Sequence, residues 1–210
     1  MGLVGRLYSL GYDRFSERID RRGGEANRRR VVEDAPGSVL EIGAGTGLNF
    51  ALFRKASRVV GLEPDRDMRA RAEHATRASS VPVEVMAGDA MALPFPDRSF
   101  DTVVSSLVLC TVPDPVRALA EARRVLKPGG TLRFYEHVRS REPRLARWQD
   151  RLERPWQWIG RGCHANRDTL VVIASSGFTI LEVDEFDFPP APWITRPHVV
   201  GRATPQGDGQ

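Results

Sequence analysis

One stretch of the chain decides its fold: residues 39–47 read VLEIGAGTG. The apolar run at its start, Val39 to Ile42, is typical of a buried parallel strand. The run ends in alternating glycines, where the absence of a Cβ lets the backbone turn sharply and approach a ligand closely. A helical pattern follows from Leu48 to Lys55. Strand, glycine loop and helix together predict a nucleotide-type binding site at the carboxyl edge of a sheet.

The spacing of the glycines separates two kinds of cofactor. A dinucleotide fingerprint needs G-x-G-x-x-G, but Leu48 stands where its last glycine belongs, which argues against NAD-dependent oxidoreduction. The pattern here is G-x-G-x-G, and Glu41 lies two residues before its first glycine. The three glycines are Gly43, Gly45 and Gly47.

Acids follow the next two predicted strands as well. Residues 58–63 read RVVGLE and end in Glu63, which is 20 residues after Gly43. A carboxylate at that place can accept hydrogen bonds from both hydroxyls of a ribose. Residues 83–89 read VEVMAGD and end in Asp89. An acid near the end of each of three successive strands is a more specific signal than the glycines alone.

The composition is that of an ordinary globular protein. The chain has 210 residues, most simply one domain, with 41% hydrophobic and 28% charged residues. Its net charge is +4, and nearly all of its positively charged residues are arginines. No basic block is long enough to require nucleic acid. Cys110 and Cys163 form no C-x-x-C pair, which argues against a disulfide framework and a cysteine zinc site. Because we find no signal-peptide pattern and no long apolar run, we expect a cytoplasmic protein.

Strands and helices alternate along the chain. The predicted strands cover residues 38–42, 58–63, 82–87, 100–106, 131–138, 178–186 and 197–203. The predicted helices cover residues 46–55, 65–78, 113–126, 142–160 and 167–176, after one or two amphipathic helices within 2–34. This order predicts an α/β fold: a doubly wound, mostly parallel seven-stranded sheet with helices on both faces. Only a short loop precedes the last strand, which we therefore expect to run antiparallel.

The glycine pattern and its acids resemble the first motifs of class I S-adenosylmethionine (SAM) dependent methyltransferases. Four motifs resemble the ubiquinone-type branch of that class: GDA at 88–90, LPFPD at 93–97, SFD at 99–101 and VLKPGG at 125–130. Four others resemble the methyltransferase-like thiol S-methyltransferase family of animal membranes and its bacterial relatives: LVLC at 107–110, EHV at 136–138, GC at 162–163 and RPH at 196–198. The animal members carry an N-terminal hydrophobic anchor, for which this sequence shows no apolar run.

This resemblance implies a single Rossmann-like methyltransferase domain over residues 1–210. Its expected parts are an N-terminal helical cap (1–34), a SAM-binding core (35–138), a lid-like insertion (139–165) and a C-terminal helix with two strands (166–203). The resemblance also implies which residues contact the methionine part, the ribose and the adenine of SAM. These are Glu41, Gly43, Gly45, Gly47, Glu63, Pro64, Met68, Asp89, Ala90, Ser106 and Leu107. Met68 fits equally well as a core filler.

Methyl transfer needs alignment and a dry site more than catalytic side chains. Glu136 and His137 are the best catalytic candidates, because they lie at the carboxyl end of the fifth predicted strand. We favour His137 as a base and Glu136 as an orienting group, although a structural hydrogen bond explains either residue equally well. Cys110 is interpreted as a packing residue. Cys163 is interpreted first as a buried packing residue, with a place beside His164 at the mouth of the pocket as the alternative. The scattered histidines predict no metal site.

Residues 145–159 carry an apolar stripe with interleaved arginines. The stripe consists of Leu145, Trp148, Leu152, Trp156 and Ile159. Three roles remain open: a substrate lid, plain packing on the sheet and, least favoured, contact with a membrane surface. Pro155 should kink or break the helix.

The expected partner is a small, largely apolar methyl acceptor, with a thiol first and a phenol or quinol-type metabolite second. The aromatic side chains beside the site, and few acids to hold a cationic amine, motivate this choice. A nucleic-acid methyltransferase is less favoured, because residues 105–109 read SSLVL and lack the proline and aromatic residue that align a flipped base. A non-catalytic SAM-binding protein is also less favoured, since the glycine loop is intact.

Overall fold

The computed structural model describes residues 19–207, apart from the side chains of Asp20 and Arg21. The predicted N-terminal helical cap therefore falls largely outside the described residues. Within them, a π-helical turn at Asp20–Gly24 leads into helix α1, Glu25–Val32.

One seven-stranded sheet organises the chain. Its strands are β1 (Gly37–Ile42), β2 (Ala56–Leu62), β3 (Val83–Met86), β4 (Phe100–Ser106), β5 (Leu126–His137), β6 (Phe178–Asp187) and β7 (Pro197–Pro205). Their order across the sheet is β3-β2-β1-β4-β5-β7-β6. The first five strands pair in parallel, and β7 lies antiparallel between β5 and β6. The doubly wound fold and the antiparallel last strand are both confirmed.

The two faces of the sheet bury separate apolar clusters because side chains alternate along each strand. In β1, Leu40 joins the cluster on one face and Val39 the cluster on the other. Helices α3 (Pro115–Val125) and α6 (Thr169–Ser175) cover the first face. Helices α1 and α2 (Arg66–Ala75) contribute to the second.

The helix predicted over residues 46–55 is wrong. The chain there makes turns and a single 3₁₀ turn, Phe50–Leu52, and then extends at Phe53. Gly47 lies in the left-handed region at φ 81°, so a right-handed helix cannot run through this residue. Phe50 is fully buried, and its ring fills the space beside Gly47 and Gly61. The apolar residues of this segment therefore fill the core individually rather than as one face of a helix.

The helix predicted over residues 142–160 is two helices, α4 (Pro143–Arg151) and α5 (Glu153–Ile159). The break falls at Leu152, where φ is −96° and ψ is 5°. Pro155 lies in the first turn of α5, a position that tolerates a missing N–H group. The break expected from Pro155 is therefore present, and it lies three residues before the proline.

Candidate active site

The glycine loop after β1 leaves open space at one of its three glycines. All three have positive φ, at 61° for Gly43, 58° for Gly45 and 81° for Gly47. A Cβ would come within 2.6 Å of Val108 at Gly43 and within 2.8 Å of Phe50 at Gly47, but at Gly45 it would meet nothing within 4 Å. The outer glycines are therefore needed for packing, whereas Gly45 borders space that a ligand can occupy.

The Glu63 carboxylate, directly after β2, holds this loop. Its Oε2 accepts a hydrogen bond of 2.9 Å from the Gly45 N–H, and its Oε1 accepts one of 2.9 Å from the Asp65 N–H. The side chain is only 5% exposed, and burial raises the pKa of its carboxyl. Each oxygen retains a lone pair, so the group can also accept hydrogen bonds from a diol.

The Glu41 carboxylate is buried beneath the same loop with one oxygen unsatisfied. Its Oε1 accepts a hydrogen bond from the Asn49 amide, while Oε2 has no hydrogen-bond partner among the described residues. Burial raises the pKa of this carboxyl to about 7, against the effects of the Asn49 amide and the Arg28 charge. A buried acceptor without a donor suits a ligand that brings its own N–H group, so the site fits the amino group of SAM.

The residues assigned to adenine lie at the neighbouring strand ends. Asp89 follows β3 and is exposed, and its Oδ1 accepts a hydrogen bond of 2.8 Å from the Met91 N–H. Ala90 beside it is buried. Pro64 is exposed after β2, and Met68 is half-buried in the first turn of α2. All four lie at the same edge of the sheet as Glu63.

The loop after β4 has a strained backbone at Leu107 and is hydrogen-bonded to β5. Leu107 has φ 59°, which is unusual for a side chain of this kind, and its N–H donates to the Tyr135 carbonyl at 2.7 Å. Of its backbone groups, the carbonyl is therefore the one that it can offer to a ligand. Ser106 precedes it as the last residue of β4.

Glu136 supports this loop and does not face an acceptor. Its Oε1 accepts hydrogen bonds from the Ser105 hydroxyl at 2.7 Å and from the N–H groups of Val108 and Leu109 at 3.0 Å. Its Oε2 accepts from the Cys110 N–H at 3.3 Å. The side chain is fully buried, and burial raises the pKa of its carboxyl. Glu136 therefore holds the loop after β4 in place, and the orienting role toward an acceptor that the sequence predicts for it stays a prediction.

His137 meets both cysteines of the chain. Its Nε2 lies 2.8 Å from the Cys163 Sγ, which also accepts a hydrogen bond of 3.2 Å from the Trp156 indole N–H. The Cys110 Sγ, the Cys163 Sγ and a ring nitrogen of His137 all lie within 4.8 Å of one another. The pKa of the Cys163 thiol is lowered, chiefly by a hydrogen bond from the Cys110 thiol and to a smaller extent by one from His137.

Sequence reasoning missed this cluster. It treated the two cysteines separately and favoured packing for each, because they are 53 positions apart in the chain. The available signal was topological. Cys110 follows β4, His137 ends β5, and these strands are parallel neighbours whose carboxyl ends meet.

The apolar stripe of residues 145–159 is not the buried face of its helices. Trp148 is 49% exposed and makes an edge-to-face contact with Trp193, and Ile159 is 56% exposed. The buried residues of α4 are Ala146 and Gln149. The Gln149 amide donates to the carbonyls of Val138 and Ile194, at 3.2 and 2.9 Å, which fixes α4 at the end of β5. Between residues 19 and 207, no helix has the length and apolar character to cross a membrane.

Comparisons with known proteins agree with this geometry. A family described as "Methyltransferase domain" matches residues 40–134. The thiol S-methyltransferase TMT1B of Rattus norvegicus is 36% identical over 173 residues, which cover 79% of this chain and 70% of that protein. A demethylmenaquinone methyltransferase of Thermobifida fusca is 34% identical over 179 residues, which cover 83% of this chain and 72% of that protein.

A solved structure of a SAM-dependent methyltransferase from Thermotoga maritima is also similar. It is 25% identical, has a TM-score of 0.68 and covers 94% of this chain and 96% of its own. The identity to TMT1B extends well beyond the cofactor half of the fold, since it covers 79% of this chain. The chain belongs to the class I SAM-dependent methyltransferases, in the family of the thiol S-methyltransferases.

Proposed function

We propose that the enzyme methylates the sulfur of a small, largely apolar thiol. The observation that carries this proposal is the make-up of the acceptor end of the site, beyond β4 and β5. Its polar groups include the thiols of Cys110 and Cys163 and the imidazole of His137. The Arg167 guanidinium lies beside them and donates to the carbonyls of Leu109 and Val112. The carboxylate nearest to them, Glu136, is occupied by four hydrogen bonds. Two soft sulfur groups beside the cation Arg167 suit a thiol better than a cationic amine.

In this proposal, the residues of the chain bind, align and exclude water. SAM, when bound, supplies a methyl group on a positively charged sulfur. Glu41 accepts from its amino group, and Glu63 accepts from its ribose. Pro64, Met68, Asp89 and Ala90 contact the adenine, and the backbone of Ser106 and Leu107 borders the reacting end.

The acceptor needs only modest activation. A thiol has a pKa of about 8.5, so a group that favours the thiolate suffices. We assign that task to His137 and the holding of the loop to Glu136. A phenol or a quinol carbon would instead need a well-placed base.

A second function has one observation in its favour. The 34% identity to a demethylmenaquinone methyltransferase covers 83% of this chain, which supports a quinol-type acceptor methylated on oxygen or carbon. The thiol S-methyltransferase relatives support the sulfur acceptor at a similar identity and coverage.

A panel assay distinguishes the two functions. Release of S-adenosylhomocysteine is measured with an alkyl thiol, an aryl thiol, a phenol and a quinol, each against a reaction without acceptor. We expect turnover with the thiols. Turnover of the phenol or quinol, with none of either thiol, would overturn the thiol proposal and leave the methyltransferase activity intact.

Cofactor affinity is expected to fall as the pH falls, because of Glu41. Its pKa is about 7 in the folded protein, and Arg28 and Glu63 are the charged groups that act on it there. A cationic amino group favours the carboxylate, so the affinity is full above pH 7 and declines below it. From pH 8 to pH 5.5, S-adenosylhomocysteine should bind roughly 30-fold more weakly in calorimetry.

The matched variant is Glu41→Gln, which keeps the oxygen that accepts from Asn49. It should bind weakly at every pH, without the decline. The same raised pKa makes the protein without cofactor lose stability as the pH rises from about 4.5 to 7, because the folded state holds this proton more tightly than the unfolded chain. Wild-type affinity that stays constant between pH 8 and 5.5 would contradict the assignment of Glu41.

A further inference from the structure

Three chain segments bring two thiols and an imidazole together at the carboxyl edge of the sheet. Cys110 comes from the loop after β4, His137 is the last residue of β5, and Cys163 follows α5. The three donor atoms lie within 4.8 Å of one another. Cys110 and His137 are 2% and 6% exposed, while Cys163 is partly exposed. Approach to the group is therefore from the Cys163 side.

The donor set is that of a zinc site. Thiolate sulfur and neutral imidazole nitrogen are the ligands that Zn²⁺ prefers, at bond lengths of about 2.3 and 2.0 Å. Ligand atoms around a tetrahedral zinc ion are then roughly 3.5 to 3.8 Å apart. The present separations, from 2.8 Å to at most 4.8 Å, bracket that range, so small side-chain rotations complete the geometry.

The surroundings of the group are already shaped. Arg161 and Gly162 have φ of 51° and 91°, which turns the chain sharply after α5 and directs Cys163 back toward β5. The Trp156 indole N–H donates to the Cys163 sulfur, as supporting donors do to metal-bound thiolates. Two thiolates and one Zn²⁺ are together neutral, so the ion adds no net charge to this buried place.

The group leaves one coordination position open. Among residues 19–207, the candidate ligand set contains these three side chains and no fourth. Three protein ligands with a free fourth position are the pattern of catalytic zinc, whereas structural zinc has four protein ligands.

We propose that Cys110, His137 and Cys163 bind one zinc ion, and that the acceptor thiol coordinates to its fourth position. This second part rests on the proposed function. The S–H bond of the acceptor breaks, a Zn–S bond forms and the proton leaves to solvent. The bound thiolate then takes the methyl group from SAM, which gives a neutral thioether and S-adenosylhomocysteine. The neutral thioether has lost the negative charge that bound the thiolate to Zn²⁺, so it dissociates. His137 thus favours the thiolate as a metal ligand.

Cobalt binding tests the metal site without turnover. The full-length enzyme is stripped with a chelator under a reducing agent and then titrated with Co²⁺, which reports tetrahedral thiolate ligation by its absorption. We expect one equivalent to bind, with sulfur-to-cobalt charge-transfer bands that Zn²⁺ abolishes by displacement. Cys110→Ser and Cys163→Ser should each lose stoichiometric binding, and Trp156→Phe should weaken it about tenfold. The matched control is His74→Gln in α2, which should bind like the wild type.

Calorimetry with S-adenosylhomocysteine on each variant shows that the cofactor half remains folded. Failure of the wild-type protein to bind one equivalent of Co²⁺ or Zn²⁺, with both cysteines reduced, overturns the metal site. So does a Cys110–Cys163 disulfide in protein isolated without oxidant. An alkyl thiol should change the cobalt bands, while a phenol should not. Unchanged bands would overturn the acceptor's coordination, and the panel assay would still report separately on thiol methylation.

Discussion

The variant Gly45→Val is expected to lose SAM binding while keeping its fold. Its side chain would enter the space beside the loop, where no atom lies within 4 Å of a Cβ at this position. We propose that the cofactor approaches the backbone in that space, so we expect the valine methyl groups to exclude it. Calorimetry with S-adenosylhomocysteine should show a loss of at least about 100-fold, equal to about 2.8 kcal/mol.

The chain offers a matched control in Gly129→Val. Gly129 also has a positive φ, 77°, and a Cβ at this position would likewise meet nothing within 4 Å, but it lies at the start of β5, away from the loop. Both variants carry the same kind of backbone strain, roughly 1–2 kcal/mol. Their thermal midpoints should fall together, and only Gly45→Val should lose the cofactor. Wild-type affinity in Gly45→Val would show that the cofactor does not approach this glycine.

Removal of the Glu136 carboxylate is expected to be the most destabilising single change at the site. Glu136→Ala leaves the Ser105 hydroxyl and three backbone N–H groups of the loop without an acceptor in a buried place. Each orphaned group costs about 1–3 kcal/mol, so the sum is at least about 4 kcal/mol, a large part of the stability of an ordinary domain. The free energy of unfolding in urea measures the loss.

Two further variants serve as a conservative replacement and as an exposed control. Glu136→Gln keeps an acceptor oxygen for most of these donors and should lose only about 1–3 kcal/mol. Glu84→Ala removes an exposed carboxylate from β3 and should change stability by less than about 0.5 kcal/mol. If Glu136→Ala were no less stable than Glu84→Ala, the hydrogen bonds to the loop would not be important in solution.

The cofactor half of the molecule could be predicted from the sequence because its signals are local. The apolar run before Gly43 and the acids at Glu63 and Asp89 are each readable within a few residues of a strand end. The doubly wound, mostly parallel sheet and the antiparallel β7 followed from the alternation of elements and the shortness of one loop. Such features depend on backbone geometry, which neighbouring residues determine.

The rest depends on tertiary packing. Phe50 and Phe53 have the i, i+3 spacing of a helical face, yet each fills a separate place in the core. Gln149 looks like a surface residue of an amphipathic helix, but its amide joins α4 to two carbonyls of the core. The approach of Cys110 to Cys163 depends on the turn after α5, which no local pattern predicts.

The two hydrogen bonds that hold Glu63 have a consequence for selectivity among nucleosides. With the Gly45 and Asp65 N–H groups already bound, its carboxylate has a fixed orientation before any ligand arrives. A fixed acceptor loses little rotational entropy when a matching sugar binds, but it cannot turn to follow a sugar that lacks a hydroxyl. We therefore expect the enzyme to bind ribonucleosides more tightly than their deoxy analogues, because the Glu63 carboxylate is held in one orientation at the end of β2.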